Sequence, residues 1–262
     1  MFRTTLHVVD AADFPDAASS FAESIRGRVR AEDVAAVAAA IPGGAVTSAE
    51  LGEIASRALG TDDEWRVSFA LRPIPFVRAD PLGKWPHTKP SRVRLWHEPL
   101  PEAQAASNRV VRAYLAAYGP ATREDIRQFT GFKLRQIDPA LDGLRTYADE
   151  QGRTLYDARR APLASANEPA PVRFLPAFDS IILAHADRGR ILPDDYRDTV
   201  INKKNATTAN TFTVDGLVAG AWKIAKARGR WKLSVESFGP LPARVRRELD
   251  AEGERLVAFY EA

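Results

Sequence analysis

The stretch from Ser107 to Arg159, SNRVVRAYLAAYGPATREDIRQFTGFKLRQIDPALDGLRTYADEQGRTLYDAR, decides how this chain is read. Val110, Val111, Tyr114, Leu115 and Tyr118 recur at helical spacing, and the pattern stops at Gly119-Pro120. Thr122 followed by Arg123-Glu124-Asp125 is a near capping box with Asp in place of Glu or Gln, opening a short helix with Ile126 and Phe129 inward. Ile137, Leu141 and Leu144 mark a third helix. Pro139 fits it only near the helix start, where the first amides lack intrahelical partners. Thr146-Tyr147, a polar tip at Asp149 to Gly152 and Thr154-Leu155-Tyr156 read as a hairpin. Three small helices followed by a hairpin form the winged-helix plan, which points first to nucleic acid.

The same logic repeats upstream. Val34, Val37, Ala38 and Ile41 form one apolar stripe closed by Pro42-Gly43-Gly44, and Thr47-Ser48-Ala49-Glu50 is a full capping box. Leu51, Ile54, Ala55 and Leu59 face inward on the helix it opens, and Trp65, Phe69 and Leu71 mark a third helix ended by Pro73. Ile74, Phe76 and Val77, a tip from Ala79 to Ser91, and Val93, Leu95 and Trp96 give a second wing, with Pro99 to Gln104 as the hinge. Ala161 to Pro171 is a loop. Beyond it, Val172, Phe174 and Leu175 begin a strand, and Ile181, Ile182 and Leu183 form a buried apolar run. Phe212 and Val214 turn at Asp215-Gly216 into Leu217-Val218, and Trp231, Leu233, Val235 and Phe238 supply another strand. So many strands in a short span predict a small barrel or curled sheet. An amphipathic helix from Pro242, with Val245, Leu249, Leu256, Val257 and Phe259 inward, closes the chain.

The expected fold is therefore α+β: tandem winged-helix units followed by a small β-barrel and a C-terminal helix. The expected divisions are a remnant of an upstream unit over 1–30, winged-helix units over 31–98 and 103–160, and the barrel with its helix over 165–262. At 45% hydrophobic and 27% charged residues the composition is that of an ordinary globular chain. The lack of cysteine excludes disulfides and thiol chemistry. No apolar run is long enough to span a bilayer, and the N-terminus does not read as a signal peptide, so a bacterial cytoplasmic protein is expected.

The net charge of +3 is unevenly placed. Residues 1–100 hold 12 Lys/Arg against 13 Asp/Glu, whereas residues 188–232 hold 10 against 4. Within the second stretch, Trp222 to Lys232 carries Lys223, Lys226, Arg228, Arg230 and Lys232 and no acid. A hairpin turning at Arg228-Gly229 would present a positive tip to phosphates; the plainer alternative is an edge strand kept soluble by its cations. Lys133, Arg135 and Gln136, leading into the third helix of 103–160, are further candidate DNA contacts.

Four phrases resemble a known family: Arg3-Thr-Thr-Leu-His7, Pro171-Val-Arg-Phe-Leu-Pro-Ala-Phe-Asp-Ser-Ile-Ile-Leu183, Thr213-Val-Asp-Gly-Leu-Val-Ala-Gly-Ala-Trp222 and Glu236-Ser-Phe-Gly-Pro-Leu241. Together, and in this order, they resemble the AlkZ-like family, which includes DNA glycosylases that remove bulky alkylated or crosslinked bases. The resemblance implies tandem winged helices with a small β-barrel, double-stranded DNA as partner, and a catalytic motif of Gln, an apolar residue, then Gln or Asp. It places that motif in a winged-helix unit ahead of the part seen here. Thr4 to Val9 reads as an internal strand needing a partner, so the expectation is a shortened start, a separately encoded first unit, or a degenerate member.

Hydrolysing an N-glycosidic bond requires a group that positions water and offsets positive charge on the sugar. Gln136-Ile137-Asp138 fits the motif literally but lies near the start of a helix in the second unit, where Ile137 reads as core and Asp138 suits the helix dipole. His7 and Asp179 match the family phrases and complete the catalytic candidates. Each has a plain alternative, a structural histidine or an acceptor of backbone hydrogen bonds. His7, His87, His97 and His185 are too scattered for a metal site, and no phosphate loop appears, so no metal or cofactor is expected. Three functions remain open: a monomeric repair protein related to base excision and not catalytically complete by itself, a DNA-binding regulator without chemistry, or a protein-interaction module.

Overall fold

A computed structural model of the chain describes residues 9–80, 92–165 and 167–261. The chain divides into two compact units, 1–161 and 162–262. Helix α1 (Phe14–Ile25) opens the first unit, followed by α2 (Ala31–Ala40), the short strand β1 (Val46–Thr47), α3 (Ser48–Leu59) and α4 (Glu64–Leu71). Strands β2 (Phe76–Arg78) and β3 (Arg92–Leu95) then pair antiparallel, and β1 joins the outer edge of β3, giving the order β1-β3-β2. Most of the expected wing tip, residues 81–91, lies outside the described residues, as does the strand expected from Thr4 to Val9 except for its last residue.

Local signals account for these boundaries. The Thr47 hydroxyl accepts from the Glu50 amide while the Glu50 carboxylate accepts from the Thr47 amide, so the box satisfies orphan donors at the start of α3. Gly60, with φ of 61°, closes the same helix in the left-handed region. Val37, Leu51, Ala55, Val67, Ala70 and Ile74 form the core of this half. The inward face of α4 is thus Val67 and Ala70, not Trp65, which is 72% exposed. A helix of two turns offers too few repeats for the largest side chain to reveal the buried face.

Asp33 on α2 ties that helix to α4. Its carboxylate accepts from Arg66 Nε at 2.8 Å and Nη2 at 2.7 Å, and the residue is only 6% exposed. The guanidinium holds the Asp33 carboxyl below its ordinary pKa. A depressed carboxylate contributes stability above its unfolded pKa and loses it as pH falls through the folded one. Asp33→Asn is therefore expected to lower the melting temperature at neutral pH, with the deficit against the unmodified chain shrinking as the solution is acidified below the ordinary carboxylate range. Parallel thermal scans across that range check this; a deficit independent of pH would refute it.

The rest of the first unit runs through α5 (Ala103–Tyr118), α6 (Arg123–Thr130), α7 (Leu134–Leu141) and the hairpin β4 (Arg145–Ala148) with β5 (Thr154–Asp157). A bridge between Ala121 and Tyr156 adds a one-residue counterpart of β1. Asp serves the second capping box as Glu serves the first: Asp125 accepts from the Thr122 amide at 2.8 Å. Pro139 sits in the second turn of α7, not in its first turn as expected. Val111, Tyr114, Leu115, Ile126, Phe132 and Ile137 make the core. Helix α1, read from the sequence as part of an upstream remnant, packs on α5 and adds Ala17 to that core. Asp16 pairs bidentately with Arg109, and the Ser19 hydroxyl donates to the Pro101 carbonyl.

In the second unit, β6 (Arg173–Leu175), the one-turn helices α8 (Ser180–Leu183) and α9 (Arg197–Val200), and the two-residue strands β7 (Ile201–Asn202) and β8 (Thr207–Thr208) precede a long meander. Strands β9 (Thr211–Val214), β10 (Leu217–Ala227) and β11 (Arg230–Ser237) follow, and α10 (Ala243–Glu261) ends the unit. The main sheet is antiparallel in the order β11-β10-β9-β6. The expected small barrel is not closed among the described residues: β7 and β8 pair only with each other, and four strands are too few to curl shut. Instead α10 packs against both edge strands, β6 and β11. Gly253 permits the approach, since a Cβ there would lie 2.9 Å from Leu233 Cδ2. The expected run Ile181 to Leu183 is helical, with only Ile182 buried, and Phe259 on α10 points to solvent. Its neighbour Tyr260 faces the sheet instead, 5.0 Å from the Trp231 ring.

Candidate nucleic-acid interface

The β10–β11 ribbon turns at Arg228-Gly229, where φ values of 51° and 83° match the two left-handed positions of a tight hairpin turn. Its register assigns each cation to a face. Trp222, Ile224 and Lys226 oppose Val235, Leu233 and Trp231, and this is the face covered by α10 through Leu233 and Trp231. Lys223, Ala225 and Ala227 oppose Ser234, Lys232 and Arg230 on the other face. Small partners flank the cations there, so Lys223, Arg230 and Lys232 share an open plane with Arg228 at its tip; Glu236, nearer the root, is the acid on that side. Lys226 stands apart, its ammonium 6.0 Å from the centre of the Trp231 ring. All five cations are exposed, and among the described residues none of them is held in an ion pair.

The opposite side of the ribbon has a different character. An open groove of about 860 Å³ between β11 and α10 is lined by Leu233, Val235, Leu249 and Val257, with Asp250, Glu254 and Glu261 at its border and Lys232, whose side chain belongs by register to the other face, at its edge. Carboxylates there repel phosphate, so the unit is polarised across the ribbon, with one side suited to a polyanion.

The other expected DNA contacts are already engaged within the first unit. The Lys133 ammonium donates to the Arg26 carbonyl just beyond the end of α1 at 2.8 Å, and Arg135 pairs with Glu23 at 2.8 Å. Gln136 is 1% exposed: its amide donates to the Ser20 carbonyl and the Ser107 hydroxyl and accepts from the Lys133 amide. A base edge cannot reach it. Asp138 is exposed and paired at 2.7 Å with Arg123, beside a shallow hollow shared with Asp142 and Tyr156. Helix α4 offers no better anion surface, because Asp62, Asp63 and Glu64 cluster at its N-terminal end beside exposed Trp65.

The family profile described as DNA glycosylase AlkZ-like matches residues 1–259. The chain belongs to the AlkZ-like DNA glycosylase family. The interstrand DNA cross-link repair glycosylase of Streptomyces sahachiroi is 26% identical over 133 residues, which cover 48% of this chain and 36% of that protein. The matched stretch thus spans about a third of that relative's length. The solved structure of Streptomyces sahachiroi DNA glycosylase AlkZ superposes with a TM-score of 0.74 at 21% identity, over 98% of this chain and 78% of the other. That likeness is one of fold.

Of the residues within the family phrases, His7 lies outside the described residues. Asp179 caps α8, accepting from the Ile181 amide at 2.9 Å, which is the structural alternative for an aspartate in that place. His97 and His185 are far apart in the chain, and among the described residues no group of three or more His, Asp or Glu could hold a metal. No helix among the described residues is long and apolar enough to cross a membrane. Sequence reasoning missed Phe178, the residue before that cap. It is 51% exposed at a φ of 61°, and only the phrase Leu175-Pro-Ala-Phe-Asp179 could have drawn attention to it.

Proposed function

We propose that this chain binds double-stranded DNA and serves the excision of bulky alkylated or crosslinked bases, with the cationic face of the β10–β11 ribbon gripping the phosphate backbone. The observation that carries this reading is the plane of Lys223, Arg230 and Lys232, exposed, free of ion pairs among the described residues and braced from behind by α10. Family membership supplies the substrate class. The first unit supports a tandem winged-helix arrangement. One half has three helices with strands ordered β1-β3-β2; the other repeats three helices, a bridge at Ala121 and the β4–β5 hairpin. In this reading both halves hold the duplex by shape and backbone, because Gln136 is turned inward.

Excision would need a flipped base and a group facing the sugar. The reading gives that role to neither Gln136, Asp138 nor Asp179: the first is buried among α1 and α5, the second is neutralised by Arg123, and the third caps a helix. A second reading, a DNA-binding protein without chemistry, is favoured by those same engagements. One experiment separates the two. The purified chain is incubated with duplex DNA carrying a 7-alkylguanine, and released base is measured beside salt-dependent duplex binding. Binding with base release supports the first reading, binding alone the second, and the absence of salt-sensitive binding removes both. Any release is expected to survive Asp138→Asn within about twofold, whereas removal of a group that does chemistry costs 10²-fold or more. A loss of that size would make Gln136-Ile137-Asp138 the site after all.

A further inference from the structure

Phe178 is presented where stability alone would not place it. A bulky aromatic residue seldom adopts positive φ, and here it does so with half its surface in water. The surrounding backbone is pinned from several sides. The Ala177 amide donates to Asn210 Oδ1 at 2.7 Å, the Phe178 amide donates to the Thr208 hydroxyl, and the Asp179 amide donates to the Pro176 carbonyl at 3.3 Å. Ile181, 44% exposed on the first turn of α8, extends the apolar tip.

Two cationic elements are fixed to the same loop. Thr208, which accepts from Phe178, ends the β7–β8 hairpin, whose turn carries exposed Lys203 and Lys204. Lys203 lies 3.7 Å from Asp198, with both side chains largely in solvent. Asn210, which accepts from Ala177, also accepts from the Trp222 amide at 3.1 Å through its carbonyl, and its side chain donates back to the Trp222 carbonyl at 3.4 Å. Trp222 immediately precedes Lys223, and its indole donates to the Leu175 carbonyl at 2.9 Å. One residue therefore holds both the Phe178 loop and the root of the cationic ribbon. The Asp179 carboxylate, the nearest acid in sequence, is occupied at the start of α8.

From this arrangement we infer that Phe178 is a wedge that enters the base stack of bound duplex DNA, with Lys203 and Lys204 taking phosphates beside it. The inference rests on the DNA reading above. Apolar side chains inserted at a base step unstack it and hold open the space from which a base is extruded. A preformed backbone lets the ring insert without first ordering a loop.

The test uses the full chain and duplexes carrying 2-aminopurine, whose fluorescence rises when its neighbours unstack. The unmodified protein is expected to raise the signal. Phe178→Ala should lose the rise and bind about 5- to 150-fold more weakly, the range for removing one aromatic–base stack. Its salt slope should be unchanged, while Lys204→Ala should reduce the slope by about 0.9. Phe178→Asn, which tolerates the left-handed backbone, repeats the comparison should the alanine variant fold poorly. Duplex binding by the unmodified chain with no fluorescence change overturns the wedge and leaves the DNA reading standing. No duplex binding at all overturns both. Variants that bind and unstack like the unmodified chain mark Phe178 as a protein-docking residue or an idle one, and sink the wedge.

Discussion

Changing Lys223, Arg230 and Lys232 together to alanine is expected to lower the slope of log affinity against log salt by about 2.7, three phosphate contacts at 0.9 each. Because that term vanishes near 1 M salt, the same change should weaken duplex binding on the order of 500-fold at 0.1 M. The loss should be uniform across sequences, since phosphates carry no sequence information. The three side chains share by register the face turned away from α10, with serine opposite Lys223 and alanine opposite Lys232 and Arg230. Lys226 is the internal control. It lies on the other face beside Trp231, so Lys226→Ala should change the slope less than any one of the three. Titrations of a fluorescent duplex over a range of salt read both quantities. A triple variant with the original slope would reduce the ribbon to a solubilising edge.

What the sequence shows of this molecule divides by range along the chain. Both capping boxes, the turns at Asp215-Gly216 and Arg228-Gly229 and the stripe of α2 are written within a few residues, and each is found where it reads. The burial of Gln136 is not written locally, because its partners Ser20 and Ser107 lie 116 and 29 residues away. The ties of Lys133 and Arg135 to Arg26 and Glu23 are equally remote, at 107 and 112 residues. A basic pair at the start of a helix reads locally as a DNA contact, and its carbonyl and carboxylate partners lie too far along the chain to be read beside it. The open sheet is a similar case. The four strands of the main sheet were legible and the short β7 and β8 were not, but closure depends on which edges meet, and α10 covers both. At the candidate interface the five cations were legible as a cluster, and only the pairing register separates the three that share a plane from Lys226. Positive φ at Phe178 carries no local mark, because glycine and asparagine are the residues that advertise that conformation.

Gly220→Ala is expected to be the most damaging single substitution at a glycine of the second unit. A Cβ at this position would lie 2.2 Å from Phe212 Cε1, 2.5 Å from Phe212 Cζ and 2.3 Å from the Glu236 carbonyl oxygen. Neither neighbour can yield readily. Phe212 is fully buried and packs on Phe174 with centroids 6.1 Å apart, and the Glu236 carbonyl belongs to the backbone of β11 beside the Gly220–Ser237 pair. Relief would require moving the ring out of the core or prying β11 from β10 at the root of the cationic ribbon. Overpacking typically costs about 1–3 kcal/mol and occasionally more, and with neither neighbour able to yield this site belongs at the upper end, so the second unit should melt well below its normal temperature and duplex binding should fall with it. Two other glycines set the scale. Gly229 has open space around it but a φ of 83°, so alanine there should cost only about 1 kcal/mol of backbone strain. Gly52 lies inside α3 with nothing within 4 Å, and alanine there should stabilise by about 0.5–1 kcal/mol through helix propensity. Thermal unfolding of the three variants should rank them Gly52→Ala above the unmodified chain, Gly229→Ala slightly below it and Gly220→Ala far below. If Gly220→Ala melts with Gly229→Ala, β10 and β11 do not pair as closely as described, and the register that assigns each cation to its face fails with them.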